Sequence, residues 1–149
     1  MANVRVTTRI GATPDAVWAL LTKINRYPKW DGFADEIVTA DRSRLKAGST
    51  YEVRTAMDRS RWRVEIFEEP DRMVHVGTVG FLGKVRREFA VVANGEGGAE
   101  LRQTIDSTVM AGITRPFGWL AEKLFVERML RNRMTQSGNA LRDLLAGEG

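Results

Sequence analysis

The chain has 149 residues, which suits one domain and argues against two. It has no cysteine, which excludes disulfide scaffolds, thiol nucleophiles, cysteine zinc sites and iron–sulfur clusters; its one histidine, His75, excludes HExxH and multi-histidine metal sites. The formal net charge of +4 is spread over a sequence with 19 interspersed acidic residues and no long run of like charge, so no nucleic-acid-binding arm is expected.

Residues 3–10 alternate, with Val4, Val6, Thr8 and Ile10 on one side and Arg5, Thr7 and Arg9 on the other, the period of a half-buried strand. Thr13-Pro14-Asp15 then supplies a capping hydroxyl, a proline suited to the first helical position and an acidic residue for the helix's positive end. Val17, Leu20, Leu21 and Ile24 follow at helical spacing, which predicts a short helix over 13–23. A second short helix is expected near 26–30, a short strand over 36–40 and a polar connection over 41–48.

A series of strands comes next. Tyr51, Val53, Thr55 and Met57 alternate with polar neighbours; so do Trp62, Val64 and Ile66, then Val85, Arg87, Phe89 and Val91, then Leu101, Gln103, Ile105 and Ser107, with a further strand at Met73–Val79. Turn signals separate them at Asp58-Arg59-Ser60, Pro70-Asp71, Gly80–Gly83 and Asn94–Gly98. Pro116 opens a long helical stretch to about Leu145, with Leu120, Leu124, Val126, Leu130, Met134, Leu141 and Leu145 marking a face and Gly138 as its weak point. Strand, two short helices, about six antiparallel strands and a long helix make an α+β domain spanning 1–149.

This layout has two consequences. An antiparallel meander alternates its tips between two ends, so the 58–60 tip, the 80–83 tip and the end of the last strand share one end. Phe81, Leu82, Met110, Ile113 and Phe117 there suit either an entrance or core plugs. The inward face also carries polar residues: Thr8, Thr55, His75, Arg87, Gln103 and Ser107. A buried polar group needs a partner, which is a neighbour, a water or a ligand.

His75 suits a polar anchor or an acid/base group, and equally a buried histidine bonded to a neighbour, the commoner fate. Arg87 suits a grip on a carboxylate or enolate oxygen; its place near a strand start favours a rim arginine with its head in water. Glu68 and Glu69 point to opposite faces, Asp106 points outward, and no carboxylate pair emerges. Gly77, Gly80 and Gly83 lie between strands and read as turn chemistry, not as a dinucleotide fingerprint. Trp18 and Trp62 read as core or cavity wall. Residues 116–134 mix Phe117, Trp119 and Phe125 with Lys123, Arg128, Arg131 and Arg133, which suits a core helix with a basic outer face and also transient contact with an anionic membrane through Trp119 and Phe81.

The stretch Ala12-Thr13-Pro14-Asp15-Ala16-Val17-Trp18-Ala19-Leu20-Leu21, then Tyr27-Pro28-Lys29-Trp30, resembles the opening of the START-like superfamily, which includes polyketide cyclase/dehydrase, lipid-transport and Bet v 1-like proteins. Gly48-Ser49-Thr50-Tyr51, Pro70-Asp71-Arg72-Met73 and Asn139–Leu145 fit the same pattern. The resemblance covers about residues 3–145. It implies a helix-grip fold, a seven-stranded antiparallel sheet wrapped around the long C-terminal helix, with an apolar cavity between them. The residues expected to line it are Tyr51, Val53, Thr55, Trp62, Val64, His75, Arg87, Phe89, Gln103, Ile105 and Met134.

The leading expectation is a binder or carrier of a small hydrophobic molecule, a lipid, isoprenoid or polyketide-like compound. The alternatives are a polyketide cyclase, aromatase or dehydratase using His75, Arg87 and Gln103, and a regulatory or toxin-like interaction module. No metal, cofactor or nucleic acid is expected. The apolar runs are too short to span a membrane and Met1–Arg5 lacks the core of a signal peptide, so a cytoplasmic protein is expected.

Overall fold

The computed structural model describes residues 2–56, 58–80, 82–107 and 118–148, and the side chains of all of these except 2, 118–122 and 148. The elements run β1 (Ala2–Ile10), α1 (Pro14–Leu21), a 3₁₀ helix (Ile24–Lys29), β2 (Glu36–Ala40), β3 (Thr50–Arg54), β4 (Arg59–Glu68), β5 (Arg72–Val79), β6 (Gly83–Ala93), β7 (Ala99–Ser107) and α2 (Gly118–Glu148). One seven-stranded antiparallel sheet has the order β1-β7-β6-β5-β4-β3-β2. The two short helices interrupt the chain between β1 and β2, which therefore become the two edges. This is the α+β helix-grip arrangement that the resemblance implies.

The local causes are those legible in the chain. Thr13 caps α1, its hydroxyl accepting from the Ala16 N–H, and Pro14 takes the first turn. The period of two in β4, β6 and β7 sends Trp62, Val64, Val85, Phe89, Leu101 and Ile105 to one buried face. Two positive-φ glycines, Gly95 and Gly97, let the chain reverse between β6 and β7.

The helix α2 has 31 residues and is therefore about 46 Å long. Its buried stripe is Val126, Leu130, Met134, Ser137, Gly138 and Leu141, a helical repeat laid against the inner face of β1 and β7. Gly138 is where helix and sheet approach most closely. A Cβ there would sit 2.2 Å from Thr8 Oγ1 and 3.3 Å from Gln103 Nε2. The glycine that looks like a flaw in the helix pattern is the contact that lets the helix seat.

Some expectations need correction. Leu124 lies off the helix face and is 60% exposed, as is its neighbour Phe125 at 68%. The 41–48 connection is not wholly polar: Leu45 is buried and its N–H donates to the Thr22 carbonyl at 2.8 Å, tying the loop under α1. Gly77 is not turn chemistry. It sits inside β5 opposite Trp62, and a Cβ there would meet the indole at 2.6 Å, so the glycine provides the seat for the ring.

Candidate functional site

The cross-strand register places His75 opposite Val64 on one side and Arg87 on the other, with Ile105 beyond Arg87. One transverse row of the inner face therefore carries both candidate polar groups. Gln103 lies opposite Phe89 in the next row.

Arg87 is not a rim arginine. It is 5% exposed, and Asp31, also 5% exposed, takes its guanidinium end-on, with Nη1 donating to Oδ2 at 2.7 Å and Nη2 to Oδ1 at 2.9 Å. The rings of Phe33 and Phe89 cover the guanidinium, centred 4.8 and 4.5 Å from its carbon. The long side chain folds inward because a bidentate carboxylate and two rings wait there, and together they compensate the desolvation of the charge. Burial opposes the positive charge, and Asp31 more than restores it, so the pKa lies above the ordinary arginine value.

Around this ion pair the terminal nitrogens of Arg87 and both ends of the Gln103 amide have partners. Gln103 Oε1 accepts from Arg87 Nη2 at 3.4 Å while its Nε2 donates to the Met134 carbonyl of α2 at 2.9 Å. These opposite demands fix which way the amide points. The Ser137 hydroxyl on α2 donates to the Arg133 carbonyl at 2.8 Å, lies 3.4 Å from Asp31 Oδ1 as the alternative acceptor, and its oxygen accepts the Gly32 N–H at 2.9 Å. The network thus pins the 31–33 loop, β6, β7 and α2 to one another.

His75 is fully buried among Tyr27, Tyr51 and Phe89, whose ring centres lie 6.4, 5.6 and 5.4 Å from its own. The Tyr51 hydroxyl lies 2.5 Å from Nδ1. Burial first, and the Arg87 charge second, push the imidazole pKa down to about 3, so it is neutral at pH 7. Burial raises the Tyr51 phenol well above its ordinary value, so it keeps its proton. Of the two ways to place one hydrogen between them, Tyr51 O–H donating to Nδ1 satisfies the hydroxyl; the reverse would strand it. The imidazole hydrogen then sits on Nε2, which is buried without a partner, as are Arg87 Nε, Trp18 Nε1 and Trp30 Nε1.

A cavity of about 50 Å³ lies at the end where the β3–β4 and β5–β6 connections meet, at Asp58 and Gly80; Phe33, Trp62, Leu82, Ile105 and Leu130 wall it, and Arg87 forms part of its lining. The two hairpins are joined, Gly80 N–H donating to Asp58 Oδ2 at 2.8 Å, and the Ser107 hydroxyl donates to the Leu82 carbonyl at 2.6 Å. The two tips expected at a shared end, and Ser107 at the end of β7, therefore lie together; the 108–115 segment expected with them lies outside the described residues. Leu82 is folded into this end, 5% exposed, and does not stand out from the surface. Phe81, Met110, Ile113 and Phe117 lie outside the described residues, as does the side chain of Trp119.

The expected lining residues all come from the inner surfaces: Tyr51, Val53, Trp62, Val64, His75, Arg87, Phe89, Gln103, Ile105 and Met134 are buried and Thr55 is half-buried. Of these, Thr55, Trp62, Arg87 and Ile105 border the cavity itself. Tyr51 and His75 form the second polar pair behind it. Asp31 and Ser137 are the polar residues that sequence reading missed. The available signal for Asp31 was indirect: an arginine in an inward phase demands a carboxylate. Among the described residues, no group of three His, Asp or Glu side chains could hold a metal ion.

Residues 1–146 match the family described as polyketide cyclase/dehydrase and lipid transport. The chain belongs to that family. No curated protein matches it in sequence. Among solved structures, it is similar to a START superfamily protein from Mycobacterium smegmatis, at 13% identity and a TM-score of 0.70 with all of both chains covered. It is also similar to Ara h 8.0201 (12% identity, TM-score 0.70, 97% of each chain) and to the di-domain aromatase/cyclase StfQ of the steffimycin biosynthetic pathway (9%, 0.74, 99% of this chain and 51% of that one). At these identities the likeness shows the helix-grip fold alone. No described helix of this family member is long and apolar enough to cross a membrane.

Proposed function

We propose that this protein binds a small hydrophobic molecule between the inner face of its sheet and α2, entering at the end where the two hairpins meet. The observation that carries the reading is the cavity at that end, apolar on its walls and bordered by Arg87 with a spare N–H. Apolar walls with a few fixed polar groups are the usual composition of a small-molecule site. The family description, which includes lipid transport, supports the same reading.

At about 50 Å³ the cavity is far below the roughly 300–1,000 Å³ of ordinary ligand pockets. Binding therefore requires wall residues to move. Phe33 on the loop before β2 and Leu82 on the hairpin are the walls with the least regular structure behind them. Burying a ligand's apolar area would be worth about 25 cal/mol per Å² before the costs of association and of opening the wall.

The test is native mass spectrometry of freshly purified protein, followed by unfolding and identification of anything released. A discrete adduct of small-molecule mass, freed on unfolding and apolar in character, is the expected result. Protein that stays free of adduct after incubation with extracted lipids and polyketide-like aromatics contradicts the reading.

A second reading is cyclisation or dehydration of a polyketide-like chain. The observation favouring it is the Tyr51–His75 pair, a neutral imidazole in hydrogen-bond contact with a phenol, a combination able to move a proton. Turnover of such a chain, lost in His75→Gln while the fold and ligand binding persist, would decide for the enzyme.

A further inference from the structure

We propose that the interior site accepts neutral oxygen-bearing molecules, such as ketones and esters, and rejects the corresponding carboxylates. This rests on the reading that the interior binds a ligand. It runs against the ordinary expectation for a buried arginine, which is to hold an anion.

The Arg87 guanidinium has two faces and five N–H donors along its edge. Phe33 and Phe89 cover the ring-like plane. Nη1 and Nη2 are directed at Asp31, and Nη2 also reaches Gln103. What is left is Nε–H, buried without a partner on a side chain that lines the cavity. The site therefore offers a hydrogen-bond donor whose charge is already cancelled.

Asp31 is held in that role. It accepts from Arg87 and from the Phe33 N–H at 3.2 Å, with the Ser137 hydroxyl 3.4 Å from Oδ1, and nothing else charged is buried among the described residues. A carboxylate entering the cavity would make the interior net negative, with Asp31 on the far side of the same guanidinium. The other titratable groups packed around Arg87 are His75, Tyr51 and Tyr27. Burial keeps all three neutral, so none supplies a compensating positive charge. A carbonyl oxygen has no such difficulty. It accepts from Nε–H, satisfies an otherwise stranded donor and brings no charge into the low-dielectric interior.

The test compares matched pairs on one scaffold, 2-acetonaphthone against 2-naphthoate and methyl decanoate against decanoate, by isothermal titration calorimetry at pH 7.5. The neutral member of each pair should bind at least about tenfold more tightly. Asp31→Asn removes the cancelling charge and should turn the preference toward the carboxylate. The wild-type protein gives a second test should that variant fail to fold. The acid's affinity should fall about tenfold per pH unit above its own pKa while the ketone's stays level. A carboxylate that binds wild-type protein as tightly as its neutral partner, or with an affinity indifferent to pH, overturns the inference and leaves the ligand site standing. Absence of binding by every member of both pairs overturns the ligand site, and the inference with it.

Discussion

Two buried polar pairs lie side by side on the inner face of the sheet, one strand apart, and they are built on opposite plans. Asp31–Arg87 is ionised, and its contacts with Gln103 and Ser137 join a loop, two strands and the long helix. Tyr51–His75 is neutral, joins β3 to β5, and leaves Nε2 without a partner. The comparison separates two uses of interior polarity. A charge can be buried when an opposite charge and further hydrogen bonds meet its terminal donors, as Asp31 and Gln103 meet Nη1 and Nη2 of Arg87, and it then fixes how the elements pack. A neutral pair needs no such compensation and ties together only two strands; each pair leaves one N–H open, Arg87 Nε in the first and His75 Nε2 in the second.

The sharpest way to break this comparison is to unpair the charge. Asp31→Ala should destabilise the fold by about 3–5 kcal/mol, because it strands a buried guanidinium, whereas the double variant Asp31→Ala/Arg87→Met should recover much of that loss. Urea denaturation of the three proteins checks it. Equal losses in the single and double variants would show that packing, not charge, carries the cost.

The neutral pair should instead reveal itself through pH. The folded His75 has a pKa near 3 and the unfolded one near 6.5, so between these values the unfolded chain binds a proton that the folded chain does not. This contribution to stability is complete above about pH 6.5 and is lost as pH falls toward 3, by up to about 1.4 kcal/mol per pH unit and about 2 kcal/mol by pH 5. His75→Gln cannot gain that proton, and its stability should fall less over the same range. Parallel pH profiles for the two proteins would contradict a neutral His75.

A smaller effect tests how closely α2 must approach for the charged network to close. Gly138→Ala should cost about 1–3 kcal/mol through overpacking on Thr8, against the roughly 1 kcal/mol that alanine gains in an unhindered helix. Adding Thr8→Ala should return part of the loss. The smallest effect belongs to the edge of the network: Ser137→Ala, which leaves the Gly32 N–H unsatisfied, should cost about 1 kcal/mol by the same denaturation measurement.

Much of this architecture was legible in the chain because its signals are local. The period of two sorted Tyr51, Trp62, His75, Arg87 and Gln103 onto one face, and Thr13-Pro14 marked where α1 begins. The meander rule placed the 58–60 and 80–83 tips at one end before any contact was known, and Gly80 does bond to Asp58. What stayed hidden is what long-range contacts decide. Asp31 sits in a segment broken by Pro28 and Gly32, and only Arg87, 56 residues away in sequence, turns it inward. Gly77 read as turn chemistry and Gly138 as a weak point because the atoms that need their space, on Trp62 and Thr8, come from other elements. The size of the cavity was not legible at all, since it depends on how Phe33, Leu82 and Leu130 fill the end of the sheet.

The central claim is that an apolar molecule enters at the hairpin end and reaches Arg87. Its most direct test is a methyl NMR titration of the full chain with 2-acetonaphthone. Val79, Leu82, Ile105 and Leu130, which surround the cavity, should shift in a saturable way, while Val17, Leu21 and Leu141, buried in the core but not part of the cavity lining, should hold still. Shifts confined to Val76 and its neighbours in the outer-face grooves of the sheet, or no saturable shifts, would contradict it.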